Sequence, residues 1–243
     1  MPQCARISVL GPIEVVGSDG CVRTAGDRIR RLLGLLVIER GRAVPIDRLV
    51  DIVWTDGRAP GLSAVHSAVT RLRSLVGSEC LRLEDHSYLL SVPPESIDAV
   101  LFERHVMEAV HSLGNDPQKA IAEAEAALEM WRGEPYGELA SEDPFRLEAL
   151  RLTDLHDAAS ETVAAAALAC DMLERAVLVS RRLTLDLPYR DRSWELLVEA
   201  LWRSGRRVEA LQAVDRCETT MSEAGLRPPS SLTSLVDRAV IRS

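Results

Sequence analysis

The chain has 243 residues, of which 47% are hydrophobic and 4% aromatic, and a net charge of −8. Ala, Leu and Val supply most of the apolar side chains, which favours closely packed helices over a β-sandwich. No apolar run is long enough to span a bilayer, and the N-terminus lacks the pattern of a secretory signal. We therefore expect a cytoplasmic protein with no membrane partner.

Five scattered cysteines without a CxxC pair predict neither a zinc site nor a disulfide framework. We expect free thiols, no metal and no cofactor. The GxxxxGK[ST], HExxH and GxSxG motifs are absent and the histidines are dispersed. The sequence therefore does not predict an enzyme.

The charge is unevenly distributed. Residues 1–95 hold 12 basic and 11 acidic side chains, net +1, which leaves 17 basic and 26 acidic, net −9, for the remainder. The split predicts two domains with different partners, which we place at residues 1–95 and 98–243.

The first domain begins with β-branched residues around Gly11-Pro12, which predict an antiparallel sheet. Two helices with apolar stripes follow, the first ending at Gly41 and the second beginning at Pro45. A third helix covers residues 63–76, and two β-like runs around a polar turn come next. Strands, three helices and a terminal hairpin predict a winged helix-turn-helix.

The second domain is predicted to be entirely helical, so the fold class is mainly α with a small β component. Three helical hairpins each place an alanine five residues after a turn residue, namely Asn115 with Ala120, Asp171 with Ala176, and Gly205 with Ala210. The last two alanines are 34 residues apart, the tetratricopeptide period. The spacing from Ala120 to Ala176 is longer than this period, and residues 131–144 are the candidate insertion. A capping helix is expected from about Ser230.

The third helix carries the candidate DNA-binding face. At 3.6 residues per turn, Val65, Val69, Leu72 and Val76 form one apolar stripe. The opposite face has small hydroxyl side chains flanked by cations, which suits entry into a major groove. Its predicted DNA contacts are Ser63, His66, Ser67, Thr70, Arg71, Arg73 and Ser74. An ordinary solvated surface is the alternative.

Other predicted contacts lie outside this helix. Arg28 and Arg30 near the start of the first helix, and Arg82 in the hairpin, are candidate DNA contacts. The hairpin tip is acidic at Glu84 and Asp85, which would repel phosphates, so we expect weak and salt-sensitive binding by one copy.

These segments together resemble the SARP family, the Streptomyces antibiotic regulatory proteins. "DRIRRLLGLLVIERGRAVPIDRLVDIVW" is similar to the family's first two helices, "SAVHSAVTRLRSLVG" to its recognition helix, and "ALEMWRGEPY" and "LVEALWRSGRRVEAL" to its activation domain. The sequence departs from the family at Ser87, where a Gly is usual, and in the acidic hairpin tip. Larger members carry an ATPase module, so the resemblance is to the small form.

The resemblance implies an OmpR-type winged helix joined to a bacterial transcriptional activation domain of tetratricopeptide type. It implies an activator, of an antibiotic cluster, that binds direct repeats in double-stranded promoter DNA as a homodimer and recruits RNA polymerase through its sigma or alpha subunit. The loop at residues 55–61 offers Asp56 and Arg58 for the polymerase contact, although a plain connector fits it equally well.

A second function stays open. A tetratricopeptide module that binds proteins, with a winged helix that has weak or no DNA binding, would also explain the acidic hairpin tip and the small positive charge of residues 1–95. The two functions differ in whether a continuous positive surface surrounds the third helix.

Overall fold

A computed structural model describes residues 5–17, 22–23, 26–55 and 61–232. The chain forms two compact units. The first unit combines the residues up to 104 with residues 129–155, and the second combines residues 105–128 with those from 156 onward.

In the described residues, two small antiparallel sheets and three whole α-helices lie within the first unit, which also includes the first parts of two longer helices. The first sheet has the order β1-β2-β3 and comprises β1 (Arg6–Ser8), β2 (Glu14–Val16) and β3 (Val22–Arg23). The helices are α1 (Asp27–Ile38), α2 (Ile46–Val53) and α3 (Leu62–Val76). The second sheet has the order β4-β6-β5 and comprises β4 (Val44–Pro45), β5 (Leu81–Glu84) and β6 (Ser87–Leu90).

The apolar stripe of α1 is buried, as its periodicity predicts. Leu32, Leu33 and Leu36 are each at most 2% exposed. The helix ends in a left-handed turn that already starts at Arg40, with φ 48°, and continues at Gly41, with φ 75°. A non-glycine residue in this region of φ is strained, so other contacts must hold Arg40 in place.

Pro45 has two roles. It precedes the first residue of α2, as the sequence predicts, and it also ends β4, which pairs with Ser87 and Tyr88 of β6. β4 lies at the edge of its sheet, where the missing N–H of proline removes no ladder bond. The sequence pattern does not predict this two-residue strand.

The remaining elements are helical, which confirms the mainly α fold class. The helices are α4 (Asp98–Ser112), α5 (Pro117–Glu129), α6 (Phe145–Ala169), α7 (Leu173–Asp186), α8 (Asp191–Arg203) and α9 (Arg207–Glu223). Of the capping helix, the described part reaches only residues 230–232, which are helical.

The helical hairpins turn largely as predicted. Ala120, Ala176 and Ala210 are at most 1% exposed, so the paired helices approach closely at each of them. Asp171 and Gly205 adopt left-handed conformations, with φ 58° and 77°. Asn115 does not adopt a positive φ, so the first hairpin turns differently from the other two.

The predicted insertion packs within the first unit. The backbone N–H groups of Arg132 and Tyr136 donate hydrogen bonds of 2.8 Å to the carbonyls of Leu10 and Val9. A Cβ on Gly34 of α1 would lie 2.8 Å from the Phe145 ring, so this glycine permits the close approach of α1 and the start of α6. The domain boundary near residues 95–98 stays a prediction.

Two groups of charges hold α1 in this unit. The Arg31 side chain is only 11% exposed, and its guanidinium donates two hydrogen bonds to the Glu142 carboxylate. The distance between Arg31 Nη2 and Glu142 Oε1 is 2.8 Å. Arg40 donates to Glu103 and Glu148, and the same two carboxylates accept from Arg151.

The Glu103 carboxylate is stabilised by its two arginines. Burial alone would raise its pKa, but hydrogen bonds from Arg40 and Arg151 hold the pKa below the ordinary value of 4.5. Glu103 therefore contributes stability that is present above pH 4.5 and is lost as the pH falls through its folded pKa.

Cysteines 170 and 217 are free, as predicted. Cys80 is disulfide-bonded, so the prediction of free thiols is wrong for Cys80. Within the described residues, no helix is long and apolar enough to cross a membrane.

Glu103→Gln should lower the free energy of unfolding by about 1–3 kcal/mol at pH 7, because two arginines lose a charged acceptor. The difference in the free energy of unfolding between this variant and the unsubstituted chain should become smaller as the pH is lowered below 4.5. Urea unfolding at pH 7 and pH 3.5 measures both values, with the exposed Glu129→Gln as the control. A difference that does not change with pH would contradict this role for Glu103.

Candidate nucleic-acid interface

The apolar stripe of α3 faces the core of the first unit. Val65, Val69, Leu72 and Val76 are at most 3% exposed, and Ala68 is 7% exposed. The burial of these side chains fixes the rotation of α3, so the hydroxyl-rich face must point outward.

The exposed face of α3 contains six of its seven predicted contacts. These exposed side chains are Ser63, His66, Ser67, Thr70, Arg71 and Ser74. Thr70 Oγ1 donates to the carbonyl of His66 at 2.8 Å, and Ser74 Oγ donates to the carbonyl of Arg71 at 2.7 Å. Because these hydroxyl protons are used in the helix, the two exposed oxygens can act toward a ligand only as hydrogen-bond acceptors.

Arg73, the seventh residue, is placed differently. Its side chain is half-buried, and Nε and Nη2 both donate to the carbonyl of Leu81 at 3.1 and 3.0 Å. Arg73 thereby connects the last turn of α3 to β5. Together β5 and β6 form the hairpin that is the wing of the winged helix. In this position the Arg73 guanidinium supports the wing and does not belong to the outward face.

A groove of about 590 Å³ separates the start of α1 from the exposed face of α3. Arg28 of α1 and Ser67, Arg71 and Ser74 of α3 all line it. The structure therefore brings together four of the predicted contacts from two helices. The Arg71 guanidinium has no ion-pair partner in the described part of the chain.

Arg30 lies away from this groove lining and near acidic groups. Its Nη2 is 3.5 Å from a carboxylate oxygen of Glu138 and 3.7 Å from one of Asp27. Glu138 belongs to a short 3-10 helix, Gly137–Ser141, within the predicted insertion. No local sequence pattern relates Arg30 to a residue 108 positions later.

The wing is a tight hairpin. Asp85 and His86 both have positive φ, 41° and 61°, which is the geometry of a two-residue turn between twisted strands. Arg82 is exposed on β5, and Glu84 lies two residues further on the same strand, so both side chains lie on one face of it.

Asp56 and Arg58, the candidate polymerase contacts, lie outside the described residues. In the part of the chain that the structure describes, no group of three or more His, Cys, Asp or Glu side chains could hold a metal ion.

Residues 97–239, more than half of the chain, match the family model of the bacterial transcriptional activator domain. EmbR, a transcriptional regulatory protein of Mycobacterium tuberculosis, is 29% identical over 239 residues, which cover 95% of this chain and 62% of EmbR. The transcriptional regulator RedD of Streptomyces coelicolor is 28% identical over 246 residues, covering 94% of this chain and 68% of RedD. The chain belongs to the SARP family of transcriptional activators.

A solved structure supports the same assignment. Mycobacterium tuberculosis EmbR in complex with a low-affinity phosphopeptide has a TM-score of 0.88 and 28% identity, over 98% of this SARP chain and 65% of that chain. This chain thus spans less than two thirds of the length of EmbR. Both EmbR and RedD are named as transcriptional regulators.

Arg73→Ala should lower the free energy of unfolding by about 1.5–3 kcal/mol, because the Leu81 carbonyl loses two charge-assisted hydrogen bonds. Arg71→Ala, on the same helix, should change it by no more than about 0.5 kcal/mol, because that side chain is exposed. Urea unfolding of both variants makes the comparison. Equal stabilities would contradict the separate roles of the two arginines.

Proposed function

We propose that this SARP chain is a transcriptional activator that binds double-stranded DNA sequence-specifically by inserting α3 into the major groove. The outward face of α3 carries this proposal. Small side chains at Ser63, Ser67, Thr70 and Ser74 let the helix backbone approach the base edges.

Arg71 and Arg28 supply the positive charge beside that face. Arg71, which has no internal ion pair among the described residues, is available for bidentate contact with a guanine edge. Arg28, across the groove, is suited to a phosphate on the groove wall. Thr70 and Ser74 would accept hydrogen bonds from base amino groups, since their own protons are used in the helix.

The electrostatics favour weak binding by one copy. Arg73 is engaged with the Leu81 carbonyl and Arg30 lies beside two carboxylates, so fewer free cations face DNA than the sequence alone suggests. Glu84 places a negative charge next to Arg82. We infer that two copies on direct repeats supply the affinity that one copy lacks.

Family membership supports a proposal for the partners. We propose that the target is the promoter of a secondary-metabolite cluster and that the bound activator recruits RNA polymerase, through its sigma or alpha subunit. Asp56 and Arg58 remain our candidates for the polymerase contact.

The second candidate is a protein-binding tetratricopeptide module whose winged helix has weak or no DNA binding. The acidic groups around the wing and Arg30 favour it. Under this alternative, promoter DNA would bind with the same low affinity as unrelated DNA.

Arg71→Ala should weaken binding to the promoter beside the chain's own gene by about 1–3 kcal/mol, since a bidentate base contact is lost. Binding isotherms over a series of salt concentrations give the affinity and its salt slope. Arg104→Ala, an exposed arginine on α4, is the control and should bind like the unsubstituted chain.

Binding to unrelated DNA of the same length is measured as the control for sequence specificity. Tight promoter binding that Arg71→Ala loses supports the proposal. Weak binding that depends on neither DNA sequence nor Arg71 would overturn it and favour the protein-binding module.

A further inference from the structure

The first unit contains a second cavity, on a different side of α1 from its N-terminal groove. Its volume is about 380 Å³ and it lies at the C-terminal end of α1, next to β6 and the segment that leads into α4. Leu36, Leu89, Val92, Ile97 and Val100 line it. All five are aliphatic, and they come from four successive parts of the fold.

The cavity is open to solvent on one side. Leu36 and Ile97 are buried, whereas Leu89, Val92 and Val100 are only half-buried. A ligand would therefore cover apolar side chains that water now reaches. Pockets for small molecules begin at roughly 300 Å³. The cavity is therefore large enough for a compound of about ten carbons.

The rim has two polar features. Ser91, which is half-buried, and Arg40 both line the cavity. The Arg40 charge is already balanced, because Arg40 and Arg151 share the carboxylates of Glu103 and Glu148. A ligand carboxylate would add a negative charge to a neutral group of four, whereas an uncharged polar end would not.

One residue of the cavity wall has a strained backbone. Arg40 has a positive φ of 48°, whereas the neighbouring Gly41 adopts its φ of 75° without steric cost. A non-glycine residue persists in this conformation only where its surroundings hold it, and such positions concentrate at binding sites. Here the two carboxylates hold Arg40, so the cavity has a wall that is set before any ligand enters.

We propose that this cavity binds an uncharged aliphatic molecule of about ten carbons with a single carbonyl or hydroxyl end. The chain fills the space between Leu36, Leu89 and Val100, and the polar end reaches the Ser91 hydroxyl. The cavity is bounded by wing strand β6 and by the segment leading to α4, so the ligand contacts both. The site does not depend on DNA binding.

Calorimetric titration of the full chain with 2-decanone, without DNA, tests the proposal. We expect saturable binding of one molecule per chain. Octan-2-one, which is two methylenes shorter, should bind about tenfold more weakly, from about 0.8 kcal/mol per methylene. Decanoate should bind at least tenfold more weakly than 2-decanone because of its charge.

Two cavity-filling variants from opposite walls complete the experiment. Val100→Phe on α4 and Leu89→Phe on β6 should each abolish the saturable binding. Val110→Phe, on the same helix at an exposed position, is the matched control and should bind normally. Circular dichroism and thermal unfolding identify a variant that fails to fold. In that case, the ligand binding of the other filling variant tests the proposal. No saturable binding of 2-decanone, or normal binding by a folded filling variant, would overturn the proposal.

Discussion

The first unit depends on how the cation of Arg31 is neutralised. Its side chain is 11% exposed and is paired with two carboxylates. Asp27, one turn earlier in α1, accepts from Nε at 2.9 Å, and Glu142, 111 residues later in the chain, accepts from the other end of the guanidinium. A buried charge that loses a partner is strongly destabilising, so the contact with Glu142 holds residues 129–155 against α1. The four charges around Arg40 act in the same way at the other end of that helix.

This arrangement determines what α3 presents. With α1 held along its length, the stripe from Val65 to Val76 packs inward and the rotation of α3 is set by burial alone. Arg71 and Arg73 therefore have different roles. Arg71 is exposed beside the groove, whereas Arg73 reaches the Leu81 carbonyl and supports the wing. A feature that looks like one basic cluster in the sequence is thus divided between a surface and a structural contact.

The sequence predicted those features that depend on residues close together in the chain. The apolar spacing gave the rotation of α3, and the turn residues at Asp171 and Gly205 gave two hairpins their left-handed bends. The strand at Val44–Pro45 was missed because two residues carry no period and their pairing depends on β6. The contacts of Arg31, Arg30 and Arg73 were missed because their acceptors follow from tertiary packing. The disulfide of Cys80 was missed because scattered cysteines do not reveal their spatial neighbours.

Under the proposed function, the outward face of α3 enters the major groove of promoter DNA. The most direct measurement is DNA cleavage by iron–EDTA tethered to α3 through Ser67→Cys, with the unsubstituted chain treated identically to give the background from Cys170 and Cys217. Glu218→Cys, exposed on α9, serves as a distant control. We expect cuts on both strands, centred on each repeat, from the Ser67 position and none above background from the Glu218 position. Cleavage from Ser67 that is spread evenly along the DNA, or absent, would contradict it.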